Sequence, residues 1–155
     1  MKKCVACGQS GLKKSSALLD FNAVALVEGT VFACQGCGER YEGFERVELL
    51  SRTVAQHIAR RNEPLRPEEI CFLRKYLGYS GKGFANFLGV APETVSRWES
   101  PTSPKPMQHS TELLLRYMAL NERPISDYGL DNVGTGARKS KRPKFTNRKG
   151  KWQAA

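Results

Sequence analysis

Four of the five cysteines form two C-x2-C-G motifs, and this pairing constrains the fold more than any other feature of the sequence. The motifs begin at Cys4 and Cys34, and 26 residues lie between the second cysteine of one and the first of the other. Each C-x2-C turn brings two sulfurs to one point, so two turns supply four soft ligands in a tetrahedron. The spacing predicts one structural Zn²⁺ per chain, with these ligands: Cys4, Cys7, Cys34 and Cys37.

Iron is the main alternative ion, because rubredoxins also hold iron with two C-x2-C-G turns. A thioredoxin-like redox pair explains only one of the two motifs. Disulfides are not expected, because the chain shows no secretory leader or membrane segment and is predicted to be cytoplasmic. Protein sulfurs fill all four coordination positions, so we expect no catalysis at the metal.

The positive charge is concentrated at the C-terminus. The 155 residues contain 25 Lys and Arg against 15 Asp and Glu, a formal charge of +10. Residues 138–155 hold eight basic residues and no acidic one, which leaves 17 basic and 15 acidic residues in 1–137. The high pI therefore indicates a polyanionic partner mainly through this tail, and a nucleic-acid interface on the body needs a local surface.

The chain divides into four predicted segments, with an α+β fold class. Residues 1–42 form a small zinc-binding domain with short strands, including a hairpin that turns at Gly29. Residues 43–62 form a connecting helix, and residues 65–125 an all-α domain. Residues 126–155 form a flexible linker and a basic tail that is too polar and like-charged to fold alone.

A helix-turn-helix is predicted within the all-α domain. Its first helix runs from about Pro67 to Leu77, and Ser80 caps a second helix over Gly81–Leu88. A turn over residues 89–91 leads into a third helix, Pro92–Ser100, with proline at its first position. Two short helices joined by a glycine-containing turn are typical of this motif.

The third helix has two chemically different sides at 100° per residue. Ala91, Val95 and Trp98 form the side expected to pack, and the other side carries hydrogen-bonding groups. Arg97 is suited to bidentate contact with guanine in the major groove. The predicted DNA-contacting set is Glu93, Thr94, Ser96, Arg97 and Ser100.

Three segments carry a resemblance to a known family: residues 73–78 (LRKYLG), 84–90 (FANFLGV) and 94–99 (TVSRWE). They resemble the lambda-repressor-like, Xre-type helix-turn-helix. A C-x2-C…C-x2-C domain ahead of such a module is similar to the MqsA-type antitoxins, also called the YgiT-type zinc-finger family. Gly81 and Ala91 depart from the superfamily's usual glutamine and its Ser or Thr cap.

The resemblance implies a function for each half of the chain. In that family the zinc domain binds a ribonuclease toxin, while the C-terminal domain dimerises and binds a palindromic operator. Carried over, the four cysteines are zinc ligands, and Arg97 and Glu93 fall where the recognition helix reaches bases.

We expect a sequence-specific DNA-binding regulator, a repressor, that binds double-stranded DNA as a homodimer. The alternative is a type II antitoxin whose zinc domain inhibits a ribonuclease toxin. An enzyme is disfavoured, because the sequence offers no nucleophile–base pair, phosphate loop or open metal position, and no membrane partner is expected.

The remaining expectations concern single residues and the chain end. Cys71 is predicted to be a part-buried thiol, and His57 and His109 surface histidines. Ser110 is predicted to cap a last helix with four apolar core positions: Leu113, Leu114, Tyr117 and Leu120. The tail is either a solvated end or an arm along DNA phosphates, with Phe145 and Trp152 as unusual aromatic residues.

Overall fold

The computed structural model describes residues 3–122, 145–148 and 151–154, and within them the α+β class is confirmed. Three strands come first, then five helices, then two short strands. In chain order these elements are β1 (Leu12–Phe21), β2 (Ala25–Cys34), β3 (Arg40–Gly43), α1 (Val47–Arg60), α2 (Pro67–Tyr76), α3 (Gly81–Leu88), α4 (Pro92–Trp98), α5 (His109–Asn121), β4 (Phe145–Arg148) and β5 (Lys151–Ala154).

Strands β1, β2 and β3 form an antiparallel sheet in that order, but the hairpin turns elsewhere than predicted. The turn lies at Asn22 and Ala23, whose φ angles of 55° and 60° match the twist of a tight hairpin. The Val24 N–H donates to the Phe21 carbonyl at 3.1 Å, and the Ala23 N–H donates to the Asp20 carboxylate at 3.0 Å. The prediction of a turn at Gly29 was therefore wrong.

Gly29 lies inside β2 and is buried, where it allows a close approach between chain segments. A Cβ atom at this position would lie 2.6 Å from Leu19 Cδ1 and 3.1 Å from the Gly43 carbonyl oxygen. The absence of a side chain at Gly29 thus leaves room for Leu19 and for the end of β3. The residues on either side of Gly29 resemble a turn sequence, but they are part of a continuous strand.

The tip of the sheet shares its core with the helices. Phe21, at the end of β1, is 4% exposed and packs edge-to-face against Phe44 and Phe72, with ring centroids 5.2 and 6.0 Å apart. The same core continues through Leu73, Phe84 and residues of α1, α4 and α5. The first 42 residues are therefore packed onto the helical part rather than only tethered to it.

The starts of two helices agree with the capping signals in the sequence. Helix α2 begins at Pro67, and α3 begins after Ser80, whose Oγ accepts the Gly83 N–H at 3.0 Å. Helix α1 lies within the predicted connecting segment, and its buried residues are Ala55, Ile58 and Ala59. The third helix is shorter than predicted, because it ends at Trp98 rather than Ser100.

Helix α5 corrects two predictions. Gln108, not Ser110, is its N-cap residue, and Leu113 and Tyr117 are 52% and 60% exposed. The helix instead buries a neighbouring face, consisting of Leu115, Arg116, Met118 and Ala119. Leu114 and Leu120, both half-buried, pack at the margin of this core.

Arg116 explains why α5 turns that face inward. Its guanidinium donates to the carbonyls that end α1 and start the following loop, including Ile58 at 3.1 Å and Arg61 at 2.6 Å. It also bonds the Glu112 carboxylate at 2.7 Å. An arginine buried in this way adds a charged donor to the carbonyls at a helix end, where the intrahelical donors run out.

The C-terminal region differs from the expectation of an unfolded tail, because β4 and β5 pair antiparallel. Phe, Thr and Trp favour strands, whereas the prediction of an unfolded tail rested on its polar, like-charged composition. The predicted linker and the first part of the tail, residues 126–144, lie outside the described residues. Within the described part of the chain, no helix has the length and apolar character needed to cross a membrane.

Candidate functional site

The four predicted ligand sulfurs lie together at the end of the sheet distant from the helices. The Sγ atoms of all four cysteines lie within 4.8 Å of one another. The Cys4–Cys37 and Cys7–Cys34 Sγ pairs are each 3.6 Å apart. A tetrahedral ion with metal–sulfur bonds of about 2.3 Å requires sulfurs about 3.8 Å apart, so this cluster fits a four-coordinate metal.

The two cysteine turns have matching backbone geometry. The Gly8 N–H donates to the Cys4 carbonyl at 2.9 Å, and the Gly38 N–H donates to the Cys34 carbonyl at 3.1 Å. Both glycines have positive φ, 75° and 77°, which is why glycine follows the second cysteine in each motif. In each turn the first cysteine is buried and the second is exposed.

Tyr41 is a component of this site that the sequence analysis missed. Its hydroxyl lies 3.2 Å from Cys4 Sγ and accepts the Ala6 N–H at 3.1 Å, so it joins β3 to the first cysteine turn. This bond lowers the pKa of Cys4 to about 6, with the Cys7 backbone contributing in the same direction. The available signal was an aromatic residue on the strand that directly follows the second motif.

Helix α4 separates a buried side from an exposed side. Val95 and Trp98 are 1% and 4% exposed, while Glu93, Ser96 and Arg97 are exposed to solvent. The prediction that Ala91 packs was wrong, because it is the exposed, extended N-cap residue of the helix.

Two of the predicted contact residues are less exposed. Thr94 is half-buried, because it lies between the exposed and the buried sides of the helix. Ser100 lies beyond the helix, where its Oγ accepts the Ser103 N–H at 3.3 Å and lies 3.3 Å from Thr102 Oγ1. Four of the five predicted residues therefore lie on the helix, and Ser100 belongs to the following loop.

An ion pair that the sequence analysis did not identify anchors the end of α4. The Arg74 guanidinium of α2 bonds both carboxylate oxygens of Glu99, at 2.5 and 2.8 Å, and also donates to the Tyr79 carbonyl. The Glu99 bond raises the pKa of Arg74, and both side chains are largely buried. In addition, the Lys105 N–H donates to the Arg97 carbonyl at 3.1 Å, which holds the following loop against the helix.

A notch of about 490 Å³ lies beside the exposed face of α4, between it and the first turn of α3. Gly81 and Lys82 line it from α3, and Ser96 and Ser100 line it from the opposite side. Lys82 and the N-terminus of α3 thus lie next to the exposed side of α4, a combination that favours anionic groups. Glu99 also lines the notch, with its carboxylate paired to Arg74.

The three remaining predictions for single residues agree with the structure. Cys71 is half-buried, with Sγ 3.6 Å from Arg74 Nη2, and His57 and His109 are exposed. None of the three belongs to the cysteine cluster.

No protein-family model, curated protein or solved structure matches the chain. Functional inference therefore depends on the cysteine cluster, the exposed side of α4 and the chemistry of both.

Proposed function

We propose that this chain is a sequence-specific DNA-binding transcription regulator, a repressor, in which α3, the Gly89–Ala91 turn and α4 form a helix-turn-helix. One observation carries the proposal: α4 buries Val95 and Trp98 while its opposite side leaves Arg97 and Ser96 exposed. A short helix of this kind presents polar groups to a duplex from a fixed support.

In the proposed complex, Arg97 reads guanine through O6 and N7, and Glu93 accepts from cytosine N4 or faces the helix N-terminus. Ser96 and Thr94 reach phosphates or bases. Lys82 and the first amides of α3 lie across the notch from the exposed side of α4, where they suit a backbone phosphate. A homodimer places its two α4 helices in successive major grooves about 34 Å apart.

The anchoring of α4 supports this function, because base readout requires a rigid reading element. The Arg74–Glu99 pair is largely buried and fixes the C-terminal end of the helix to α2. The packing of Val95 and Trp98 fixes its inner side. The exposed side chains of α4 therefore lose less conformational entropy on binding than side chains on a loose segment would.

We propose that the cysteine cluster holds one structural Zn²⁺ per chain. Four sulfurs complete a tetrahedron around such an ion and leave no position for a water molecule, so its contribution is to stability. The bound ion would fix both cysteine turns to each other and, through Tyr41, to β3.

The test is a DNA-binding selection on the untagged full-length protein, accompanied by metal analysis. We expect one enriched two-fold symmetric sequence and one zinc per chain. The variant Arg97→Ala should lose about 1–3 kcal/mol of binding free energy and relax one base position in each half-site. The matched control is Arg60→Ala, which removes an exposed arginine from α1. Unchanged base preference in Arg97→Ala would refute the assignment, and absence of any enriched sequence would refute the function.

An antitoxin is the second candidate, and the outer face of the sheet favours it. Leu18 and Leu26 share that face near the hairpin tip and are 70% and 72% exposed. Exposed apolar residues of this size suit a protein partner. The measurement is inhibition of a purified ribonuclease encoded next to this gene. Inhibition that is lost in Leu18→Glu/Leu26→Glu supports an antitoxin, and a ribonuclease unaffected by the chain contradicts it.

A further inference from the structure

The two C-terminal strands form a ribbon with defined pairing. Phe145 pairs with Ala154, Thr146 with Gln153, Asn147 with Trp152 and Arg148 with Lys151. Only Lys149 and Gly150 separate the two strands in the sequence. The pairing therefore places basic residues together at one end of the ribbon.

This register assigns the residues of the ribbon to two faces. Directly opposite residues of an antiparallel pair lie on the same face, and successive residues alternate between faces. Arg148 and Lys151 consequently share a face with Thr146 and Gln153. The aromatic positions lie on the other face, together with their partners: Phe145, Asn147, Trp152 and Ala154.

We propose that the β4–β5 ribbon is a second contact with duplex DNA, made by the face that holds Arg148 and Lys151. The inference rests on the proposed function in taking duplex DNA as the partner. Charge complementarity is the argument, because residues 138–155 contain eight basic residues and no acidic one. The rest of the chain, at 17 basic against 15 acidic residues, supplies little long-range attraction to phosphates.

The ribbon geometry adds to this charge argument. Opposite residues of an antiparallel pair lie about 4.5–5.5 Å apart at Cα, so Arg148 and Lys151 act on one short stretch of DNA backbone. The major groove of B-DNA admits a two-stranded ribbon. A two-stranded hairpin alone is marginally stable in water, so binding to DNA would also stabilise the ribbon.

The test compares the full-length protein with two double variants on a fluorescein-labelled, mixed-sequence 30-base-pair duplex, by anisotropy over a NaCl series. Arg148→Gln/Lys151→Gln removes two charges from the ribbon. Lys13→Gln/Lys14→Gln removes two exposed charges from β1 and is the matched control. Each phosphate contact contributes about 0.9 to the slope of log K against log salt, so the ribbon variant should lower the slope by about 1.8. Its affinity at 0.1 M salt should fall on the order of 10- to 60-fold.

A slope and affinity equal to those of the wild type in the ribbon variant would overturn the proposal. So would an equal loss in the β1 control, which would indicate a general charge effect. A larger loss with single-stranded RNA than with duplex DNA would identify a different partner and overturn it as well.

The outcome for the ribbon is separable from the outcome for the regulator function. If the wild type binds the mixed duplex and the ribbon variant loses slope, but no sequence is enriched in the selection, the ribbon stands and the regulator function is rejected. If a sequence is enriched and Arg97→Ala alters it while the ribbon variant is unchanged, the regulator function stands and the ribbon is rejected. A wild type that binds no duplex at low salt overturns both.

Discussion

The cysteine end of the sheet and the helical body are stabilised in different ways. Of the nineteen buried hydrophobic residues in the described part of the chain, fourteen lie between Ala55 and Ala119. The five in the sheet region include Cys4 and Cys34, which belong to the cysteine cluster, and Phe21, which belongs to the helical core. The sheet's own core is therefore reduced to Leu19 and Val31.

A hairpin of two ten-residue strands persists here with little apolar packing because both of its ends are constrained. One end is held by the helical core through Phe21, and the other carries a cluster that fits a metal. A sheet of this size ordinarily requires such an added constraint, because its hydrophobic burial alone does not offset the entropy of ordering the chain.

Metal removal should have the largest effect and should be confined to the cysteine end. Structural zinc sites contribute apparent binding free energies of about 10–16 kcal/mol, so treatment with EDTA should unfold the cysteine turns and the adjoining strand ends. Hydrogen exchange followed by mass spectrometry should show lost protection in residues 3–16 and 30–41. Helices α2 to α4 should retain their protection, since their core contains no ligand. Simultaneous loss of protection in those helices would show that the two regions unfold as one unit.

The second prediction tests whether apolar packing alone holds the helical body. Replacing Arg116 by Met keeps the length of the side chain but removes the cation that pairs with Glu112 and bonds the carbonyls at the end of α1. Among the described residues, Glu112 then keeps only the Leu65 N–H as a partner. Breaking a buried pair of this kind costs about 3–5 kcal/mol, measurable by urea denaturation. The control is Arg52→Met, which removes an exposed pair with Glu122 and should cost under about 1 kcal/mol. Equal losses in the two variants would mean that Arg116 adds nothing beyond a surface pair.

The third prediction sharpens the account of the cysteine end. Tyr41→Phe removes the hydroxyl that contacts Cys4 Sγ and the Ala6 N–H, and loss of such a supporting bond should weaken metal affinity about tenfold. The hydroxyl is the largest of several causes that lower the pKa of Cys4 to about 6 from 9.0, so its loss keeps the thiol protonated up to higher pH. The deficit in affinity should therefore be larger at pH 7 than at pH 9. Competition with a chromophoric chelator measures it, and Tyr117→Phe on the exposed side of α5 is the control. A metal affinity equal to that of the wild type at both pH values would show that Tyr41 does not support the metal site.

The sequence predicted the features that depend on local signals. The cysteine cluster follows from two short motifs, each of which curls around its own glycine. The starts of α2 and α3 follow from Pro67 and Ser80, which act within one turn of themselves. The division of α4 into two sides follows from helical periodicity, and burial of Val95 and Trp98 agrees with it.

The predictions that were wrong or incomplete concern features that depend on contacts between residues distant in the sequence. Gly29 resembles a turn residue, but its role is set by the Leu19 side chain and by the backbone at the end of β3. The buried face of α5 is set by Arg116 reaching α1, 55 to 58 residues earlier in the chain, which an apolar pattern does not reveal. Tyr41 meets Cys4 only because β3 returns alongside β2.

Phe21 ties the sheet to the helical body, because Phe72 of α2 contacts its ring, and Arg74 of the same helix holds Glu99 at the end of α4. Loss of a buried phenylalanine side chain costs a core about 3–5 kcal/mol, so burial of Phe21 opposes separation of the sheet from the helices. Under the proposed function, a bulky molecule seated on the sheet and a duplex lying on α4 would bind two surfaces joined by this one core. Overlap of their shapes would then be enough for competition between them, with no conformational change in this protein.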